Sequence, residues 1–170
     1  MAAGDVKLVY GTAADATITL ASLATSSTKL VGRESTAIDN TTLLALDYIC
    51  SGKITTGTSP TTTKSIEVWA IASWDGTTWP SVFDGTDSAE TLASAEVKAA
   101  VCRALVFSCT TNATSDTTYE WAGVSLASVF GGVIPPKFAF FVTHDTAVNL
   151  NSTSGNHQIR VQPIYQNVAS

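Results

Sequence analysis

Short apolar stretches alternate along the chain with clusters of Gly, Asn, Asp and Thr, and this rhythm predicts many short β-strands. The clearest candidate runs from Ile66 to Trp74, where alternate apolar residues would share one face of a sheet. The long apolar run before Ile54 fits either a strand buried on both faces or a helix, and the flanking Thr and Gly residues favour the strand. The predicted strands are residues 6–10, 16–20, 42–54, 66–74, 102–109, 117–121, 138–143 and 158–162.

The segments between these strands carry turn and helix signals. Asp75-Gly76 is the strongest hairpin signal in the chain, and it predicts a return strand that begins at Thr77 and stops at Pro80. Residues 88–100 contain good helix formers and predict one short helix or an irregular crossover. Residues 123–130 predict a helical turn that ends at Gly131-Gly132. Pro163 predicts the end of a strand or an edge position.

About eight strands without βαβ alternation predict an all-β protein, closed as a sandwich of two antiparallel sheets. A jelly-roll-like arrangement with one or two short helical turns is the favoured topology, and an immunoglobulin-like sandwich is the alternative. The 170 residues suit a single domain, 1–170. Within it, residues 1–12 form either an extended N-terminal arm or the first strand.

The composition narrows the range of partners. Charged residues make up only 14 % of the chain, against about 25 % in typical soluble domains, and Ser and Thr supply roughly a quarter. Such a surface suits either contacts with other subunits or a hydroxyl-rich monomer. With a net charge of −5 and no basic run, we expect no nucleic-acid binding through phosphate neutralisation. No apolar run reaches the roughly 18 residues of a membrane helix, and the first residues lack a signal-peptide pattern, so we expect synthesis in the cytoplasm.

The titratable and nucleophilic residues form no recognisable catalytic or metal-binding pattern. The three cysteines lie in apolar stretches and lack zinc-site spacing, which predicts buried free thiols. His144 and His157 are expected to be hydrogen-bonded rather than metal ligands. Asp84, Asp87 and Glu90 are interpreted as acids of a solvated turn, not as a glycosidase pair. We therefore predict no enzyme activity, no catalytic residues, no cofactor and no metal.

Three tryptophans bracket the predicted hairpin: Trp69, Trp74 and Trp79. Trp74 and Trp79 flank the Asp-Gly turn and could stand together at its tip. Exposed aromatic rings can stack on sugars, which makes a carbohydrate-binding surface one hypothesis. The favoured interpretation is that these rings belong to the core or to a subunit contact, where large aromatic residues dominate.

The hairpin segment 67–80 resembles one found in small virion proteins of tailed bacteriophages. The second half adds Gly123-Val124-Ser125-Leu126-Ala127, then Pro135-Pro136 before an aromatic strand, then Ile159-Arg160-Val161-Gln162-Pro163. This order resembles phage head-decoration or cement proteins with jelly-roll folds, over roughly residues 64–168.

The resemblance implies a structural protein on the exterior of an assembled capsid, where it clamps neighbouring major capsid subunits as a homo-oligomer, a dimer or a trimer. The alternative implied by the aromatic residues is a glycan-binding or receptor-binding module of a phage particle. Candidate interface residues are Val6, Leu8 and Tyr10 in the first segment, and Trp74 and Trp79 near the turn. The first three either form an arm laid onto a neighbour or an ordinary first strand.

Overall fold

The computed structural model describes residues 5–168, which form eleven strands, two short α-helices and one 3₁₀ turn. The strands are β1 (Val6–Tyr10), β2 (Ala14–Asp15), β3 (Val31–Glu34), β4 (Ile38–Asp39), β5 (Asp47–Thr55), β6 (Ser65–Ser73), β7 (Ala89–Thr91), β8 (Ala104–Thr110), β9 (Thr118–Ser125), β10 (Lys137–His144) and β11 (Gln158–Val168). The helices are α1 (Ala95–Val101) and α2 (Leu126–Val129), and the 3₁₀ turn is Ser154–Asn156.

The strands form two antiparallel sheets. The first has the order β1-β11-β5-β9, with β2 also paired to β11, and the second has the order β7-β3-β10-β6-β8, with β4 also paired to β10. Both β1 and β2 pair with β11, and both β3 and β4 pair with β10, so each couple counts as one strand of the framework. The short edge strand β7 pairs only with β3, and without it eight main strands remain. In chain order, the first main strand (β1 with β2) pairs with the last (β11), and the second (β3 with β4) pairs with the seventh (β10). The third (β5) pairs with the sixth (β9), and the fourth (β6) pairs with the fifth (β8).

This pairing is that of one long hairpin rolled into two sheets, which defines a jelly roll. It confirms the predicted fold class. The immunoglobulin-like alternative is wrong, because that fold pairs its strands in a different order.

The main core lies between the two sheets. Strand β10 also carries an apolar residue on the outer face of the second sheet, and that face is covered by a second apolar cluster. Phe138, Phe140 and Val142 point into the main core, while Phe141 on the opposite face belongs to a second cluster with Ile71. The chain between β6 and β8 returns across the outer face of the second sheet and supplies the rest of that cluster: Phe83, Leu92 and Cys102. A strand buried on both faces has a nearly continuous apolar run, and residues 138–142 of β10 form such a run.

Helix α1 and the turn around α2 form as predicted. The Ser94 side chain accepts a hydrogen bond from the Val97 N–H (3.3 Å) and so caps α1. Helix α2 is followed by Gly131 and Gly132, both with positive φ, which any residue with a Cβ adopts only at a cost. The residues before Leu126 in the predicted turn belong instead to β9.

Three predictions about the strands are wrong. Residues 42–46 form a loop before β5 instead of the start of that strand. Residues 16–20 do alternate, and Leu20 is buried, but this segment crosses between the sheets and Thr19 bonds the Asp87 side chain instead of a strand. The second main strand of the jelly roll is formed instead by β3 together with β4. Asp75-Gly76 does turn, with Gly76 at φ 75°, but the chain after it forms no paired return strand.

Pro163 lies inside β11, not at its end. The Pro163 carbonyl accepts a hydrogen bond from the Gly11 N–H (2.8 Å). Because the nitrogen and the carbonyl of a strand residue point to the same side, the proline nitrogen also faces the gap between β1 and β2. A missing N–H costs least where the neighbouring strand is interrupted.

The cysteines are free thiols, with Cys50 and Cys102 buried and Cys109 half-buried. Burial raises the pKa of Cys50 and of Cys102 to about 12 and that of Cys109 to about 11. The thiolate is the reactive form. We therefore expect a thiol reagent at pH 8 to modify Cys50 and Cys102 far more slowly in the native protein than in urea. Complete modification of all three within the mixing time under native conditions would contradict this burial.

Candidate interaction surfaces

Strand β1 presents a row of exposed apolar side chains, defined here as the β1 row: Val6, Leu8 and Tyr10, which are 61 %, 54 % and 64 % exposed. Val6 lies opposite Val168 and Tyr10 opposite Ile164, on the face of β11 that points away from the core. Strand β1 is also the edge of its sheet, so within residues 5–168 its other backbone edge has no strand partner. An apolar edge strand is a template for association with another chain.

The residues of the predicted arm are therefore an edge strand that pairs with the chain's own β11 over Val6–Tyr10. The structure thus favours the first-strand alternative, with its outer face and edge still open to a partner. Residues 1–4 of the predicted 1–12 segment lie outside the described part of the chain.

A second apolar surface lies at one end of the sandwich. The strand registers bring the 40–46 loop, the end of β6, the start of β10 and the far end of β11 to this end. We define the apolar end by its exposed residues Leu43, Leu44, Leu46, Trp74 and Val133. The opposite end consists of loops rich in Thr, Ser and Asn, including residues 56–64 and 111–117, so the two ends differ sharply in polarity.

The 40–46 loop is ordered by a buried side chain. The Asn40 Oδ1 accepts hydrogen bonds from the Ala45 N–H (2.7 Å) and the Tyr48 hydroxyl (3.0 Å), while its Nδ2 donates to the Ala45 carbonyl (3.2 Å). At the tip, Leu44 is 70 % exposed and has a φ of 51°. A left-handed conformation costs a branched residue roughly 1–2 kcal/mol. Leu44 therefore combines an unfavourable backbone with an unburied apolar side chain, at a position where Asn or Gly would be more stable.

The two candidate tryptophans do not share a platform. Trp74 is 57 % exposed and its ring meets Phe130 edge to face, with centroids 6.2 Å apart. Trp79 is half-buried against the second cluster, close to Gly85. The prediction that both indoles stand at one hairpin tip is wrong, because the return strand that would bring them together does not form. Trp74 belongs to the apolar end, and Trp79 has a packing role.

The predicted acids are used to hold the loop over the second sheet. The Asp87 carboxylate pairs with Arg33 Nε (2.6 Å) and accepts from Thr19, while Asp84 caps its own turn through Thr86. Ser88 donates to Glu90 (2.6 Å). This agrees with their interpretation as acids of a turn, although Asp87 is more enclosed than expected.

Sequence reasoning missed Glu34, which is fully buried on β3. Its carboxylate accepts the Gly85 N–H (2.9 Å) and the Asp84 N–H (3.1 Å), and so fastens the loop to the sheet. Burial, reinforced by the nearby Asp84 and Glu90 carboxylates, raises the pKa of Glu34 to about 7. Nothing in the Val-Gly-Arg-Glu stretch distinguishes this Glu from an exposed one, so the sequence contains no signal for it.

A second missed cluster centres on Glu67, whose two carboxylate oxygens each lie 2.6 Å from a lysine Nζ, of Lys29 and of Lys98. Trp69 Nε1 also donates to it (3.0 Å). Burial acts to raise the pKa of Glu67, but the hydrogen bonds from the two lysines and Trp69 bring it below its usual range. The cluster ties α1 to the outer face of β6, which is a structural task.

Both histidines are hydrogen-bonded, as predicted. The ring nitrogens of His144 lie 2.9 Å from Thr146 Oγ1 and 3.1 Å from the Leu23 carbonyl, and His157 Nε2 lies 2.8 Å from the Asn151 carbonyl. Burial lowers the pKa of each ring. Within residues 5–168, no group of three or more His, Cys, Asp or Glu side chains is arranged to hold a metal ion.

Comparisons with protein-family models, curated proteins and solved structures find no match to this chain. No helix in the described part of the chain has both the length and the apolar character needed to cross a membrane.

Proposed function

We propose that this chain is a structural virion protein that binds the outside of an assembled bacteriophage capsid and clamps neighbouring major capsid subunits. The observation that carries the proposal is the outward presentation of large apolar side chains by ordered backbone, in the β1 row and at Leu44. Single exposed apolar residues are ordinary on protein surfaces, but contiguous rows of them mark interaction sites. The jelly-roll fold and the resemblance to head-decoration proteins support the choice of partner.

Clamping of capsid subunits requires only that surface be buried between this chain and the subunits it bridges. A specific interface buries roughly 1,600 Å² in total, about half of it from each partner. A protein that binds the assembled shell but not free subunits stabilises the shell by mass action. The open edge of β1 can add a strand from a neighbour, while the β1 row packs on the same partner. In this account the chain acts by binding, as a small homo-oligomer, and uses no cofactor.

Co-sedimentation with capsid shells tests the role of the β1 row. The probe is a shell assembled from the major capsid protein encoded in the same genome. We expect the protein to bind shells and not free subunits, and the triple variant Val6→Thr, Leu8→Thr, Tyr10→Thr to bind at least about tenfold more weakly, because Thr keeps the strand but removes apolar area. Leu105→Thr, an exposed apolar residue on the edge strand β8, is the matched control. Equal affinity for shells and free subunits, or an unchanged triple variant, would contradict the proposal.

Leu44→Asn separates binding from stability at the apolar end. Asn tolerates a positive φ better than Leu, so the free energy of unfolding should stay the same or rise, by up to about 1 kcal/mol. Shell binding should nevertheless weaken, because the apolar contact is lost. Urea unfolding and co-sedimentation of the same preparation measure both quantities. A variant that is less stable and binds shells as tightly as the parent would show that Leu44 has an internal role instead.

A further inference from the structure

A cleft of about 380 Å³ opens at the end of the sandwich, between β6, the end of α1, the start of β8 and helix α2. Its volume lies at the lower end of the range for ligand sites, about 300–1,000 Å³. Four alanines leave it open, and larger apolar residues form its remaining walls. The alanines are Ala70, Ala72, Ala100 and Ala104; the walls are Trp74, Pro80, Val101, Val129 and Phe130.

Arg103 is the one charged side chain that lines the cleft. The other two arginines are held by carboxylates, Arg33 by Asp87 and Arg160 by Asp15. Arg103 is exposed and, among residues 5–168, has neither an ion pair nor a hydrogen bond from its guanidinium. A guanidinium left open beside an apolar cleft is complementary to a carboxylate next to an apolar group.

We propose that this cleft binds a peptide segment of a partner protein that presents a large apolar side chain next to a carboxylate. The apolar side chain enters between the alanines and Trp74, and the carboxylate pairs with Arg103 at the mouth. Trp74 contributes as the exposed wall, which accounts for an indole left 57 % exposed beside Phe130. The inference rests on the proposed function, because it gives the chemistry of the capsid segment that the chain would grip.

The first test is a titration of the full chain, labelled with ¹⁵N, with short blocked peptides. The probes are acetylated and amidated Ala-Glu-Phe-Ala, the same peptide with Gln in place of Glu, and Ala-Glu-Ala-Ala. The signal followed is the indole N–H of Trp74, assigned with Trp74→Phe. We expect saturable millimolar binding of the Glu-Phe peptide, about fivefold weaker binding of the Gln peptide and no binding of the peptide without Phe. No saturation, or equal binding of the Glu and Gln peptides, would overturn the proposal.

Two pairs of variants locate the site. Arg103→Gln should bring the Glu and Gln peptides to within about twofold of each other, whereas Lys53→Gln, on the first sheet, should leave the preference intact. Ala100→Leu should narrow the cleft and weaken binding, whereas the adjacent exposed Ala99→Leu should not. Identical behaviour within either pair would place the peptide elsewhere and overturn the assignment.

The nature of the occupant is tested with octanoate, which carries the same charge and an apolar chain without a peptide backbone. Saturation by octanoate without any by the peptides would contradict a peptide occupant. Because these titrations use the isolated chain, their failure leaves the shell-binding result unaffected. Conversely, peptide binding without shell binding would contradict the proposed function while leaving the cleft a peptide site.

Discussion

Replacing Phe138 with Ala is expected to lower the free energy of unfolding by about 3–5 kcal/mol. Phe138 is fully buried in β10, and its ring meets Tyr48, Phe130 and Phe140 edge to face at centroid distances of 5.2, 5.9 and 5.9 Å. It therefore joins both sheets and the segment after α2. Truncation removes these contacts and leaves a cavity that the surrounding strands can close only in part.

Urea unfolding followed by tryptophan fluorescence measures this loss. Leu105→Ala serves as the control, because Leu105 is a partly exposed aliphatic residue outside both buried clusters and should cost far less. A loss below about 1 kcal/mol in Phe138→Ala would mean that the two sheets do not pack through β10 as described.

The second large effect is a pH dependence of stability that originates at Glu34. Its pKa in the folded protein is raised from 4.5 to about 7, so the folded state binds a proton more tightly than the unfolded state does. The sign follows from linkage: the stabilising contribution is fully present below about pH 4.5 and is lost as the pH rises through 7. At about 1.4 kcal/mol for each pKa unit, the loss amounts to up to about 3 kcal/mol by pH 8.

Glu34→Gln isolates this contribution, because Gln resembles the protonated carboxyl and does not titrate. The comparison is needed because His144 and His157, whose pKa values are lowered by burial, contribute the opposite slope: their stabilisation increases as the pH rises towards about 6.5 and is constant above it. The difference in unfolding free energy between variant and parent should therefore grow in favour of Gln from pH 5 to pH 8. A difference that stays constant across this range would contradict a buried, titrating Glu34.

Hydrophobic patterning predicted most of the main strands. Seven of the eight predicted segments overlap main strands of the jelly roll, including β10, whose apolar run 138–142 was predicted as a strand. Patterning failed at residues 16–20 and at β3. The first has alternation without a neighbouring strand, and the second is short, contains Gly32 and buries Glu34, so neither alternation nor apolar content identifies it.

The surfaces were predictable only in part. Val6, Leu8 and Tyr10 were identified because alternation places them on one face, and the structure leaves that face open. Leu44 and Arg103 could not be found in this way. The importance of Leu44 depends on a backbone angle, and that of Arg103 on the absence of a partner among the described residues, and neither property is written in a local pattern.

Cryo-electron microscopy of the virus particle whose genome encodes this chain is the most direct test of the central claim. We predict jelly-roll density on the outer surface of the shell, at positions where major capsid subunits meet. In that density, the β1 row or the apolar end should contact a neighbouring subunit. A mature particle without this chain on its exterior, or with both surfaces facing solvent, would contradict the account.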